Sequence, residues 1–487
     1  MTTILSIIDT LSEENKREFV SYLQKKNRRG DSKNIKLFKL INSGKTKNLD
    51  TALYGKPSRN AYHALCKRLQ DNLIDFIAAK SFSEETGDEM EILKLLLAAR
   101  IFFEHKKNKI AFKTLAKTER IALSLDGYAI LNEIYHTKIQ YAHLNASIVL
   151  PELFQTSEQN MKYAQQERQL NMAYASIKNK LKEAKKKPIN DLITEAFSDF
   201  DIEVSKTLTY KSLFQLMNIM TTAAKLQSNY FTISDSMDTL YGIVSEKQKV
   251  IKRDKHLFYH IEILNLMAVT HFRNKNFPAS ISFSEKMETE MQKKNNAYFN
   301  RFLEKLTIIK ALNENYTGKS TVAIETLKSF PKESFDVDLS LMMSLFQQNR
   351  FQEAYSILKS MHHSDTWYEK KMGWLFVLKK AIIEILLLIE LDRLDLVLSR
   401  LNSFKNKFSI RLKTSGEKRV LTFIKLVTLY YEKPEEVTSQ KFKEKVESSF
   451  DWIGKEREDI FVMSFYAWLK SKMENTGLYD TTLRLAN

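Results

Sequence analysis

The sequence predicts an all-α fold: an α-solenoid of antiparallel helical hairpins, preceded by a small helical N-terminal domain. Three observations predict it. The chain holds only 11 Gly and 6 Pro in 487 residues, and no glycine falls between Gly127 and Gly242. Strands joined by tight hairpins consume turn residues that this chain lacks, whereas long helices do not. Apolar residues recur at helical spacing along most of the chain. Finally, small residues recur in pairs twelve positions apart, in places where two helices would meet.

Length and composition bound the rest. A single core stops growing at about 250–300 residues, so 487 residues imply several domains or a repeat array. A hydrophobic content of 43% excludes wholesale disorder. The balance is basic, 76 Lys and Arg against 59 Asp and Glu, which favours acidic proteins, nucleic acid or anionic surfaces as partners. The one cysteine, Cys66, rules out an internal disulfide and a Cys-based structural zinc site, and suits a cytoplasmic location. The start, MTTILSIIDTLSEENKREF, has no basic segment ahead of its short apolar stretch and is not expected to be a secretory signal. The most apolar later run, Phe376 to Leu391, is interrupted by Lys379, Lys380 and Glu384. It falls short of the ~20 residues needed to span a bilayer, so no membrane span is expected.

Residues 1–82 form the expected N-terminal module. Residues 1–80 contain 16 Lys and Arg against 8 Asp and Glu, about half of the chain's net excess. Four short helices are expected there. Ser12 with Glu13 and Glu14 caps the first, which buries Phe19, Val20 and Leu23 and ends near Gly30. The second covers about Lys33 to Ile41. The third covers Leu49 to Tyr54 and is closed by Gly55. Pro57-Ser58 opens the fourth, with Tyr62, Leu65, Leu69, Leu73, Phe76 and Ile77 on one stripe. An acidic linker follows at 83–89.

Residues 90–250 are expected to be helical hairpins that include one long, polar helix near 152–187, stopped by Lys185-Lys186-Lys187-Pro188. Residues 251–410 hold the clearest repeats and 411–487 the capping helices. The paired small residues are Ala99 with Ala111, Ala268 with Ser280, and Ala311 with Ala323. Ala354 has Met342 at the partner position, and a weaker copy centres on Val397. Two antiparallel helices approach closely only where side chains are small, and the larger neighbours then interlock with the next pair.

These stretches resemble degenerate tetratricopeptide repeats. The best matches are NRFQEAYSIL, from Asn349 to Leu358, and NKNFPASISFSEKM, from Asn274 to Met287. The layout also resembles a group of uncharacterised bacterial proteins, in which a module ending in a helix like AYHALCKRLQDNLIDFIAAKSF precedes degenerate helical repeats. The resemblance implies a groove that binds a peptide or protein. The paired Asn and Lys of the carboxylate clamp found in some of these repeats are not recognisable. Asn265 is present, but Val269 stands where the next Asn belongs.

Chemical motifs are weak. Gly318-Lys319-Ser320 and Gly44-Lys45-Thr46 mimic a phosphate loop but lack its earlier glycine and a preceding strand. His256 and His260, near Asp254 and Glu262, have the spacing of a zinc pair but no third ligand. His362-His363 are expected in a loop. His63 and Cys66 lie on one helix without an activating frame. The expectation is therefore a non-enzymatic protein-binding scaffold with no cofactor and no metal. The aromatic residues Trp367, Tyr368, Trp374 and Phe376 serve as interhelical packing or as anchors. The alternative is a regulator that contacts nucleic acid, or an acidic partner, through Lys25, Lys26, Arg28, Arg29, Arg59, His63, Lys67 and Arg68.

Overall fold

In the computed structural model, the residues described are 2–8, 11, 13–26, 33–43, 48–84, 88–180, 189–202, 208–227, 229–250, 256–414, 418–449 and 460–486. Every regular element among them is helical. None of these helices is long and apolar enough to cross a membrane. The chain divides into two compact units, 1–123 with 130–155, and 124–129 with 156–487.

The first unit begins with α1 (Thr2–Ile8), α2 (Glu13–Lys26), α3 (Lys33–Asn42), α4 (Leu49–Tyr54) and α5 (Arg59–Glu84). Four were expected; α1 was not. Its signal is Ile4 and Ile8, one turn apart and almost fully buried. They join Phe19, Leu23, Leu37, Phe38, Leu69 and Leu73 in one core. Gly55 closes α4 at φ 74° and donates its N–H to the Thr51 carbonyl at 2.8 Å. Lys80 pairs with Glu18, and Lys26 with Asp75, so two ion pairs hold α2 along the far half of α5. Ser12, Gly30 and the middle of the acidic linker lie outside the described residues. Then come α6 (Asp88–Glu104), α7 (Asn108–Ser124) and α8 (Tyr128–Tyr141). Arg100 of α6 bonds the Thr137 hydroxyl and the Glu133 carboxylate of α8, and Phe103 stacks on Tyr141 at 4.0 Å.

The long helix α9 spans Leu150–Lys180 among the described residues and starts two residues before the expected 152. The first unit ends and the second resumes inside it, at Gln155 and Thr156. The segment 181–188, with Lys185 to Pro188, lies outside the described residues.

The second unit continues with α10 (Ile189–Asp199), α11 (Tyr210–Gln227), α12 (Ser234–Val250), α13 (Leu257–Arg273), α14 (Phe277–Met291) and the single turn α15 (Lys293–Asn296). Next are α16 (Phe299–Tyr316), α17 (Ser320–Lys328), α18 (Phe335–Gln347), α19 (Phe351–Ser360) and α20 (Asp365–Met372). The last are α21 (Trp374–Glu390), α22 (Leu394–Thr414), α23 (Lys418–Glu432), α24 (Gln440–Ser449), α25 (Ile460–Glu474) and α26 (Leu478–Ala486). Two large apolar clusters fill this unit, one centred on α11, α13 and α16 and the other on α18, α21, α23 and α25.

The twelve-residue spacing turns out to be one turn geometry, used five times. In α6–α7, α13–α14, α16–α17, α18–α19 and α21–α22, a residue seven positions after the first small or paired position is left-handed. These residues are Lys106, Lys275, Gly318, Asn349 and Asp392, with φ between 53° and 90°. In each turn the next residue's N–H reaches back five positions to a carbonyl: Lys107 to Phe102, Asn276 to His271, Lys319 to Glu314, Arg350 to Leu345, and Arg393 to Leu388, all at 2.8–2.9 Å. This is the closing bond of a Schellman cap. The chain manages with few glycines because four of these five left-handed positions carry Lys, Asn or Asp instead. Ala99, Ala111, Ala268, Ser280, Ala311, Ala323, Ala354 and Val397 are each at most 1% exposed. Ser280 also donates its hydroxyl to the Ala268 carbonyl at 2.8 Å, and the Asn313 amide donates to the same hydroxyl at 2.9 Å. One side chain thus ties α13, α14 and α16 together.

Candidate functional site

The first helices of successive pairs converge on a cavity of about 450 Å³ in the second unit. Asn218, Thr222 and Lys225 come from α11, Asn265, Val269 and Arg273 from α13, and Lys305 and Leu312 from α16. Asp336, Ser340 and Met343 come from α18, Lys379 and Ile383 from α21, and Phe461 and Phe465 from α25. No residue of a second helix, α12, α14, α17, α19 or α22, lines it.

Its chemistry is that of an apolar recess with a cationic rim. Four cations, Lys225, Arg273, Lys305 and Lys379, face one carboxylate, Asp336. Arg273 is buried, and its guanidinium sits 4.6 Å from the ring centres of both Tyr230 and Phe461. Lys379 lies 3.9 Å from the Phe461 ring centre. Such stacking helps to fix a cation in place. Lys305 is paired to Glu262 at 2.7 Å. Asp336 keeps an open surface of its own, but the surrounding helices displace water from around it. That burial holds its carboxyl above the usual aspartate range, against the pull of Lys225 and with a further push from Glu304. Asn265 is 8% exposed, and its amide has no hydrogen-bond partner among the described residues.

One side of the cavity is built by the C-terminal helix. Phe461 of α25 packs on Phe272 and Arg273 of α13, and Ser464 meets the Tyr316 hydroxyl of α16 at 2.5 Å. Trp468 is fully buried, donates its indole N–H to Glu390 of α21 at 2.6 Å and meets Tyr430 of α23 edge-on at 5.3 Å. The Tyr479 hydroxyl of α26 donates to the Asn315 carbonyl at 2.5 Å. The segment 411–487, expected to cap the end of the array, therefore also reaches back to α13 and α16.

The residues picked from sequence for nucleic-acid or acidic-partner contact are only partly gathered. Arg59, His63, Lys67 and Arg68 are exposed along the first half of α5. Lys25 and Lys26 are exposed too, but Lys26 bonds Asp75. Sixteen residues at 1.5 Å each place Asp75 about 24 Å along the helix from Arg59. Lys67 lies nearer, about 12 Å along the helix from Asp75. Arg28 and Arg29 lie outside the described residues.

The weaker motifs have ordinary settings. Gly318 occupies the left-handed turn before α17, while Gly44-Lys45-Thr46 lies outside the described residues. His256 contacts Asp126 at 3.0 Å and stacks on Tyr210, whereas His260 faces Gln248 and Glu290. The two histidines thus have separate acidic neighbours, and Asp254 lies outside the described residues. No cluster of three potential metal ligands occurs among the described residues. Cys66 is half-buried beside Tyr62, while His63 is exposed. His362 and His363 are exposed before α20, and His363 stacks on Trp367 at 3.9 Å. Tyr368 and Phe376 are buried packing residues, and Trp374 lies under Arg411 at 4.7 Å.

No protein-family model matches the chain, no curated protein matches it, and no solved structure matches it. Sequence reasoning missed the cavity as a unit because its cations span Lys225 to Lys379. The only signal was that each falls on a first helix or on a helix paired with one.

Proposed function

We propose that the chain is a non-enzymatic scaffold, built of degenerate tetratricopeptide-like helix pairs, that binds an acidic segment of a partner protein in the cytoplasm. The observation that supports this reading is that Lys225, Arg273, Lys305 and Lys379 all line one largely apolar recess with Asp336, and of these Lys305 is already paired to Glu262. The test is affinity capture from cytosol by the full-length protein, in parallel with a Lys225→Glu, Lys379→Glu double variant. A specific protein captured by the wild type and lost by the variant is the expected outcome. Equal capture by both, or recovery of a small molecule alone, refutes the reading.

A second reading is a regulator that contacts nucleic acid through α5. It is favoured by the exposure of Arg59, Asn60, His63 and Lys67 on one helix face. Binding to random duplex DNA and RNA across a salt series separates the two. A steep salt dependence that disappears in an Arg59→Glu, Lys67→Glu variant supports the regulator. No binding at low salt removes it.

A further inference from the structure

Helix α25 crosses the first helices through Phe461, Ser464 and Trp468 and forms one wall of the cavity. Its buried contacts with α13, α16, α21 and α23 leave about 450 Å³ open. That is within the roughly 300–1,000 Å³ of a typical ligand site, and too little for a long helix. A partner must therefore insert a few side chains rather than lay down an extended face.

Asn265 narrows the chemistry further. Its amide carries both donors and an acceptor, lines the cavity and has no hydrogen-bond partner among the described residues. A carboxylate or phosphate accepts but does not donate, so it leaves the Asn265 carbonyl oxygen unsatisfied. A peptide group has an N–H and a C=O and satisfies both sides. Beside the polar Asn218, Thr222 and Ser340, much of the lining is apolar, with Val269, Leu312, Met343 and Phe465. This surface gains nothing from charge and gains most from a buried aliphatic or aromatic side chain.

Resting on the scaffold reading, we propose that the cavity takes a short internal stretch of a partner in which a bulky apolar residue is flanked by carboxylates. Asn265 bonds the backbone of this stretch, the apolar side chain fills the recess, and the exposed Lys225 at the rim receives a flanking acid. No chain terminus is required.

The probe is a blocked, fluorescently labelled hexapeptide with two acidic, two aliphatic and two acidic residues, titrated into the full-length protein and followed by anisotropy. An all-acidic hexapeptide and one with the acids replaced by their amides serve as comparisons. The amphipathic peptide is expected to bind at least about tenfold tighter than either. Asn265→Leu is expected to weaken it by about tenfold, because a buried peptide group then loses its partner. Lys225→Glu changes an exposed side chain and is expected to weaken it as well, so a folding defect in the first variant does not decide the matter. Equal binding of the all-acidic peptide, unchanged binding by both variants, or no binding of the amphipathic peptide each overturns the inference. If charge reversal still abolishes capture of the cytosolic partner, the scaffold reading survives that result; if it does not, both fall.

Discussion

Trp468 offers the sharpest test of whether α25 belongs to the core of the second unit. The side chain is fully buried, its N–H bonds Glu390 at 2.6 Å, and Tyr430 packs on it edge-on. Truncating a buried Trp to Ala costs about 3–5 kcal/mol in transfer and cavity terms. A hydrogen bond to an ionised partner adds about 1.5–3 kcal/mol. Part of that second loss is recovered, because Glu390 keeps Lys472 at 2.7 Å. Trp468→Ala should therefore cost about 5 kcal/mol in all. Trp468→Phe keeps most of the volume and loses the N–H, so about 2 kcal/mol is expected. Domain stabilities are typically ~5–15 kcal/mol, so the Ala variant should be close to unfolding at ambient temperature. Urea titration followed by far-UV circular dichroism gives both numbers from the midpoint shift and slope. A cost below about 2 kcal/mol for Trp468→Ala, or equal costs for both variants, shows that α25 is a detachable appendage. The cavity wall formed by Phe461 and Phe465 would then not be fixed.

Three further outcomes follow from the geometry. Ser280→Ala removes the hydroxyl shared by Ala268 and Asn313, and urea unfolding should show a loss of about 1–3 kcal/mol; no loss would mean that the three-helix tie is not made. At the left-handed turns, Lys275→Gly should raise the melting temperature and Gly318→Ala should lower it, each by about 1 kcal/mol in stability; the reverse signs would exclude the shared turn. Asp336 has a raised carboxyl pKa in the folded state, so its proton stabilises the fold at low pH and that stability is lost as pH rises through the folded value. Asp336→Asn should be more stable than the wild type near neutral pH, with the gap closing below the ordinary aspartate range. A constant gap across the titration would assign the effect to packing.

Much of the layout of α2 to α5 was legible because its signals are local. Gly55 and Pro57-Ser58 mark a helix end and start by backbone preference alone, and the observed α4 ends and α5 begins there. Helix α1 was harder to see, since it is only seven residues long and its described side chains give two buried positions, Ile4 and Ile8. The cavity was not legible at all. Asn265 stood out only by comparison with a clamp motif it does not complete, and Arg273, Lys305 and Lys379 look like any surface cation in a chain with 76 of them.

By itself the sequence determined the helical class and the register of the helix pairs. Few glycines and an apolar 3.6-residue period leave no alternative secondary structure. Small residues twelve apart record the closest approach across one repeated turn. The tertiary structure alone decided that the left-handed turn positions tolerate Lys, Asn and Asp, because the capping bond, not the side chain, holds them. It alone decided that α25 lies against the first helices and leaves a small cationic recess. The latter depends on contacts between residues far apart in sequence, such as Tyr316 with Ser464 and Phe272 with Phe461. No local pattern encodes such a distance, because each partner answers only to its own helix until the helices pack.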